Sequence, residues 1–241
     1  MERGVLQPPL ALHELRERVV EANVELVRAG LVTLTFGNAS AADREAGVMA
    51  IKPSGVPFDA LEPDQVPVLD LVTGATVAGA LRPSSDTPTH LALYRAFPSV
   101  GGVVHTHSPY ATACAQGCTP IPCLGTTHAD HFCGSVPVTR ALLDEEIAGG
   151  YEEATGAVIV EALAGGDPLA MPGVLVRSHG PFTWGATVEN GVENAVALEA
   201  VAASTYRALR IASEASPIGE SLLAKHFGRK HGPGSYYGQP S

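Results

Sequence analysis

The stretch GGVVHTHSPYATACAQ, residues 101–116, decides how the chain reads. Gly101-Gly102-Val103-Val104 is a short apolar run of the kind that fills a buried strand. It runs into His105-Thr106-His107, and Pro109 to Gln116 then reads as a helix. Two positions apart on a strand, His105 and His107 project to one face, close enough to share a metal ion. The same spacing equally describes two satisfied polar side chains at a strand end, so the surrounding sequence has to decide.

Outward from this stretch, strands and helices alternate. Upstream, Ser84-Ser85-Asp86-Thr87-Pro88 opens a helix, because Ser, Asp and Thr suit a cap and Pro is tolerated in the first turn. Leu91 and Tyr94 of that helix should face inward. Before it, Leu31 to Phe36 and Val48 to Ile51 read as strands, with tight loops at Gly37-Asn38-Ala39-Ser40 and Lys52-Pro53-Ser54-Gly55. Leu12, Leu15, Val19, Ala22 and Leu26 recur at helical spacing and predict an amphipathic helix over 11–29, stopped by Gly30.

Downstream, Val158 to Val160 and Val174 to Arg177 are further strand candidates, the second running into Ser178-His179-Gly180. Val188 to Ala212 reads as a long Ala-rich helix, Ser221 to Phe227 as a short one, and His231 to Gln239 as a loop-like tail. The chain shows no repeat of 20 to 50 residues. Without a regular βαβ rhythm or a GxGxxG turn, the pattern predicts an α/β fold with a mixed sheet between helical layers, in one domain over 1–241.

Composition narrows the function. Hydrophobic residues make up 45% and charged residues 17%, enough for a packed core. The formal charge of −10 argues against a nucleic-acid surface, which needs clustered Lys and Arg. An anionic substrate would have to be held by local donors against that field. The start lacks a signal-peptide pattern, and no apolar run approaches the roughly 20 residues of a membrane span, so the expectation is a cytoplasmic protein without membrane contact. Cys114, Cys118, Cys123 and Cys133 match no zinc-ribbon spacing and read as reduced, mostly packed thiols.

The site candidates gather around the opening stretch. His179 and Asp86 add a third imidazole and a carboxylate to His105 and His107, a donor set suited to zinc or a similar first-row ion. His90, one helical turn after Asp86, reads as a packing histidine or one that supports the ligands, and His128 and His131 stay ambiguous. GNAS, KPSG and SSD are loops of small hydroxyl residues and glycine, either ordinary turns or cradles whose backbone N–H groups approach an anion.

The runs SSDTPTHLALYRAFPSVGGVVHTHSPYATACAQ, GTTHAD, MPGVLVRSHGPFTWG and KHFGRKHGPGSYYGQ settle several of these choices. Together, from about residue 10 to 239, the sequence resembles the L-ribulose-5-phosphate 4-epimerases, a family within the class II aldolases. The resemblance implies a central, mainly antiparallel sheet flanked by helices on both faces, in a C4 homotetramer with active sites at subunit interfaces. It implies Zn2+, with Mn2+ or Co2+ as alternatives, held by Asp86, His105, His107 and His179. It also implies contacts to a phosphorylated ketopentose from Gly37, Asn38, Ser54, Gly55, Ser84 and Ser85, with Lys52 nearby either as a charge partner or as an ordinary solvated loop lysine. Asp130 in THAD and Tyr237 in the tail match the family's acid/base pair, acting from a neighbouring subunit, while Thr126, Glu152 and His226 fall in matching supporting positions.

The implied reaction inverts C4 of L-ribulose 5-phosphate to give D-xylulose 5-phosphate. The C4 hydrogen is not adjacent to the carbonyl and is not acidic, so the route is retro-aldol cleavage of C3–C4, rotation of the aldehyde, and rebonding. The metal stabilises the enediolate, and two groups on opposite faces handle the C4 oxygen proton. Such epimerases serve the breakdown of L-arabinose and of L-ascorbate. One alternative is a class II aldolase cleaving a ketose 1-phosphate, a family that typically carries Glu where this chain has Asp86. The other is a non-catalytic interaction domain of the same fold, as in the adducin head.

Overall fold

Strands β1 (Asn38–Asp43), β2 (Val48–Ile51), β3 (Val68–Asp70), β4 (Thr76–Ala78), β5 (Gly102–His105), β6 (Gly173–Leu175) and β7 (Pro181–Gly185) form one sheet in the computed structural model. The structure describes residues 9–231 and 234–236. The strand order is β4-β3-β2-β1-β5-β7-β6, and every neighbouring pair is antiparallel. The expected sheet type is therefore present.

Side-chain alternation along the strands builds two cores. Met49, Ile51, Val103, Phe182 and Trp184 face one side, against Leu91, Leu93 and Tyr94 of α2 (Thr87–Ala96) and Ile159 of α5 (Asp144–Ala162). Ala39, Ala41, Ala50, Val68 and Val104 face the other. There they meet Leu15, Val19, Ala22 and Leu26 of α1 (Pro9–Arg28), and Val188, Val192 and Ala195 of α6 (Val188–Ile211). Each large apolar side chain so buried contributes roughly 2 kcal/mol. A third cluster joins α3 (Pro109–Gln116) to α6 through Ala111, Ala115, Leu198 and Val201. The helices α4 (Thr126–Ala129) and α7 (Glu220–His231) complete the chain.

α2 and α5 lie close because Gly156 of α5 has no side chain: a Cβ there would stand 2.5 Å from Cβ of Ala92. α5 is interrupted at Gly150, whose φ of 165° and ψ of 81° are not helical. That break redirects the chain just before Tyr151.

Several sequence expectations need correction. Leu31 to Phe36 is not a strand but a turn, closed by Phe36 N–H donating to the Thr33 carbonyl at 3.0 Å. Leu31 is buried at 3%, but Leu34 has φ 54° and is 76% exposed, so the chain turns back on itself instead of extending along a neighbouring strand. Asn38 to Ser40, expected as a loop, begins β1 instead. Its small residues fit where α1 and α2 press on the sheet from both sides. Val158 to Val160 lies within α5, since three apolar residues do not distinguish a strand from a buried helical turn. β6 stops at Leu175, and His179 sits in the turn before β7, after Ser178 at φ 61°. The short helix expected over Ser221 to Phe227 is longer, Glu220–His231.

The four cysteines are free; Cys123 is buried, Cys133 exposed, and the other two intermediate. Among the described residues no helix is long and apolar enough to cross a membrane.

Candidate metal centre and its cleft

Sheet register delivers the first pieces of the site. Asn38 of β1 lies opposite His105 of β5, which lies opposite Phe182 of β7. Residues directly opposite share a face, here the one covered by α2 and α5. Gly37 precedes this row at φ 103°, and a Cβ on it would stand 2.8 Å from the His105 carbonyl oxygen. Only glycine fits there. At the same end of the sheet α2 begins, with Asp86 as its N-cap residue.

His105 is buried and donates Nδ1–H to the Pro181 carbonyl at 2.9 Å, which fixes its tautomer and leaves Nε2 with a lone pair. Nε2 of His107 is 3.0 Å from Nε2 of His105. His179 is third, its ring centroid 4.7 Å from that of His105 and 5.0 Å from that of His107. Nδ1 of His179 stands 3.0 Å from the Tyr151 hydroxyl. The three histidines present ring nitrogens within 4.8 Å of one another, a cluster able to hold a metal ion. Burial lowers the pKa of all three, that of His105 to about 3. They are therefore neutral at neutral pH, the form in which imidazole binds a cation.

Asp86 lines the same cleft but stands outside that cluster. Its Oδ2 accepts a 2.6 Å hydrogen bond from the Asn38 amide, which also reaches the Ser84 hydroxyl at 3.1 Å. Burial pushes the Asp86 carboxyl up, but His105, His90 and the Asn38 amide outweigh it and hold it below its ordinary value. The carboxylate stays ionised beside three neutral imidazoles, a donor set that fits a divalent cation. Asn38 Oδ1 is buried without a hydrogen-bond partner among the described residues.

The cleft encloses about 430 Å3. Gly37, Asn38, Lys52, Ser54, Gly55, Ser84 and Ser85, all expected substrate contacts, line it together with Glu152 and Tyr151. Two of the loops are tied to each other: Ser54 N–H donates to the Arg82 carbonyl at 2.9 Å, and Ser84 N–H to the Lys52 carbonyl at 3.0 Å. These two amides are committed to backbone, so an anion here would rely on hydroxyls and on Lys52 rather than on a full row of N–H groups. Lys52 is not a solvated loop lysine. It is 2% exposed, its Nζ lies 4.6 Å from the Phe58 ring centroid, and burial lowers its pKa.

Asp130 is elsewhere. It ends α4 and lies outside the residues lining the cleft. Arg229 of α7 grips its carboxylate with two bonds of 2.8 and 2.5 Å, and His226 Nδ1 adds one at 3.1 Å. Burial raises the Asp130 pKa, but Arg229 and His226 outweigh it and leave it lowered. Tyr237 falls outside the described residues.

The histidines left open now have places. His90 is buried against Ser40, His128 bonds the Gly134 carbonyl at 2.7 Å, and His131 lies near Asn194 and Lys230. None joins the cluster of three. Sequence reasoning missed Tyr151 and Arg229. The first is hidden beside Glu152 in a helical run, and the second in a basic stretch that reads as a solvated face.

Comparison with known proteins agrees with this architecture. Residues 17–206 match the Class II Aldolase and Adducin N-terminal domain model. L-ribulose-5-phosphate 4-epimerase UlaF of Salmonella paratyphi C (strain RKS4594) is 53% identical over 95% of this chain and 100% of that protein. The protein of the same name from Salmonella typhi has the same identity and coverage. Among solved structures, an L-fuculose 1-phosphate aldolase superposes with a TM-score of 0.76, at 23% identity, over 90% of this chain and 95% of that one. YgbL from Klebsiella pneumoniae, a putative aldolase/epimerase/decarboxylase, gives 0.71 at 25% identity over 89% and 98%. The sheet, the histidine cluster and these likenesses agree that the chain belongs to the class II aldolase and adducin N-terminal domain family.

Proposed function

We propose that this protein is a metal-dependent epimerase converting L-ribulose 5-phosphate into D-xylulose 5-phosphate by inversion at C4. The observation that carries the reading is that the histidine cluster and Lys52, with the serines of its two tied loops, line one cleft. A small phosphorylated substrate placed there has its charged end at Lys52 and its oxygens at the histidines. The choice of epimerase is supported by the name of relatives 53% identical over their full length.

His105, His107 and His179 would hold the ion through Nε2, with Asp86 as the carboxylate ligand. The ion is Zn2+, with Mn2+ or Co2+ as alternatives. When bound, it supplies Lewis-acid stabilisation of negative charge on the C2 and C3 oxygens. The chain's other residues bind, orient and move protons. Lys52, Ser54, Gly55, Ser84 and Ser85 hold the phosphate, and Gly37 and Asn38 shape the floor beside it.

In this reading Asp130 and Tyr237 of a neighbouring copy in a C4 tetramer would serve as the acid/base pair at C4. As the C3–C4 bond breaks, one takes the proton of the C4 hydroxyl. After the aldehyde turns, the bond re-forms on the other face and the second group delivers a proton to the C4 oxygen. Asp130 is ionised at neutral pH, although Arg229 weakens it as a base, and would take the proton, while a tyrosine, with an ordinary pKa near 10, would give one. The exposed Leu34 and Phe36, the latter on the cleft rim, are suited to cover by that second copy.

Zinc-loaded protein given L-ribulose 5-phosphate should form D-xylulose 5-phosphate in a coupled assay. Chelation should abolish turnover, and Asp130→Asn should lower it by roughly 100-fold or more. Absence of conversion together with cleavage of a ketose 1-phosphate would move the protein to the aldolases.

A further inference from the structure

Tyr151 follows the Gly150 break in α5, lines the cleft, and places its hydroxyl 3.0 Å from Nδ1 of His179. The direction of that bond follows from the other ring nitrogen. A neutral imidazole that offers Nε2 as a lone pair carries its hydrogen on Nδ1, so Nδ1–H donates and the Tyr151 oxygen accepts. His105 has the same arrangement, with Nδ1–H on the Pro181 carbonyl, which can only accept. A phenol differs from a carbonyl in keeping a hydrogen of its own. Once the Tyr151 oxygen accepts from His179, that hydrogen is left for another acceptor, and the cleft lies beside it.

We propose that Tyr151 is a positioning residue for His179, fixing the tautomer that leaves Nε2 as its metal-binding atom, and that its hydroxyl hydrogen donates to a substrate oxygen in the cleft. The first half needs only the histidine cluster. The second half rests on the epimerase reading given above.

Zinc affinity, measured by competition with a chelator and without substrate, tests the first half. Tyr151→Phe keeps the ring and removes the acceptor, so zinc should bind about 10- to 100-fold more weakly. Circular dichroism should show an unchanged fold. Tyr151→Gln, whose amide oxygen accepts from Nδ1–H, should recover much of the affinity. Equal affinity in wild type and Tyr151→Phe would overturn the positioning role, as would failure of the wild type to bind zinc at all. An epimerase reading that failed would leave this measurement unaffected.

The second half is read at saturating zinc with L-ribulose 5-phosphate. Tyr151→Phe and Tyr151→Gln should both show a lower kcat with little change in KM, because neither presents the phenolic hydrogen. An unchanged kcat would overturn the donor role.

Discussion

His90 lies fully buried on α2 with Nδ1 2.7 Å from the Ser40 hydroxyl, which is 2.8 Å from the Tyr94 hydroxyl. Burial lowers its pKa to about 4, with Asp86 pulling the other way. An unfolded histidine titrates near 6.5, so between about 6.5 and about 4 the unfolded chain binds a proton that the folded one refuses. The neutral His90 therefore leaves stability intact above about pH 6.5, and stability is lost as the pH falls toward 4. At about 1.4 kcal/mol per unit, the loss between pH 7 and pH 5 attributable to this residue is about 2 kcal/mol. Urea unfolding at the two pH values, on wild type and His90→Gln, should show a shallower pH dependence in the variant. Equal losses in both proteins would place the dependence on other groups.

At the scale of elements, the contact of α2 with α5 carries the cleft, because α2 brings Asp86 and α5 brings Tyr151 and Glu152. Gly156 sets that contact, and Gly156→Val would put methyl groups where Ala92 and Thr89 already stand. Overpacking of this kind costs about 2 kcal/mol or more, outweighing the helix propensity gained over glycine. A lowered thermal midpoint, with weaker zinc binding as the helices part, is the expected result. A midpoint at or above that of wild type would show that the helices can shift at no cost. The role of Gly156 is not legible in the sequence, because one glycine in a helical run looks like a defect until its neighbour is known. The helices α1, α3 and α6 were legible where periodicity repeated, and the apolar runs of β2, β5 and β6 were legible as strands, whereas β3, β4, β7 and the helix α5 were not read from the sequence. Legibility failed where three-dimensional context chose, as with Val158 to Val160 in α5 and the small residues that open β1. The site followed the same rule. The Lys52 and serine loops could be placed by motif, whereas the bonds from His179 to Tyr151 and from Asp130 to Arg229 join residues 28 and 99 positions apart.

The role proposed for Asp130 belongs to the whole molecule, since within one chain this carboxylate lies off the cleft, clamped by α7. A carboxylate so rigidly held is presented rather than mobile, which fits service to the cleft of an adjacent copy. In a cyclic tetramer each site would then draw its histidines from one subunit and Asp130 from the next. That division makes two defects complementary. His107→Asn disables the ion-binding half, Asp130→Asn the proton-handling half, and each protein alone should be inactive. Co-expressed in equal amounts and randomly assembled, they would give sites with both halves intact in about one case in four. The mixture should recover about a quarter of wild-type activity. If the mixture stays as inactive as its components while forming mixed tetramers, each site is built within one chain and the shared-site reading falls.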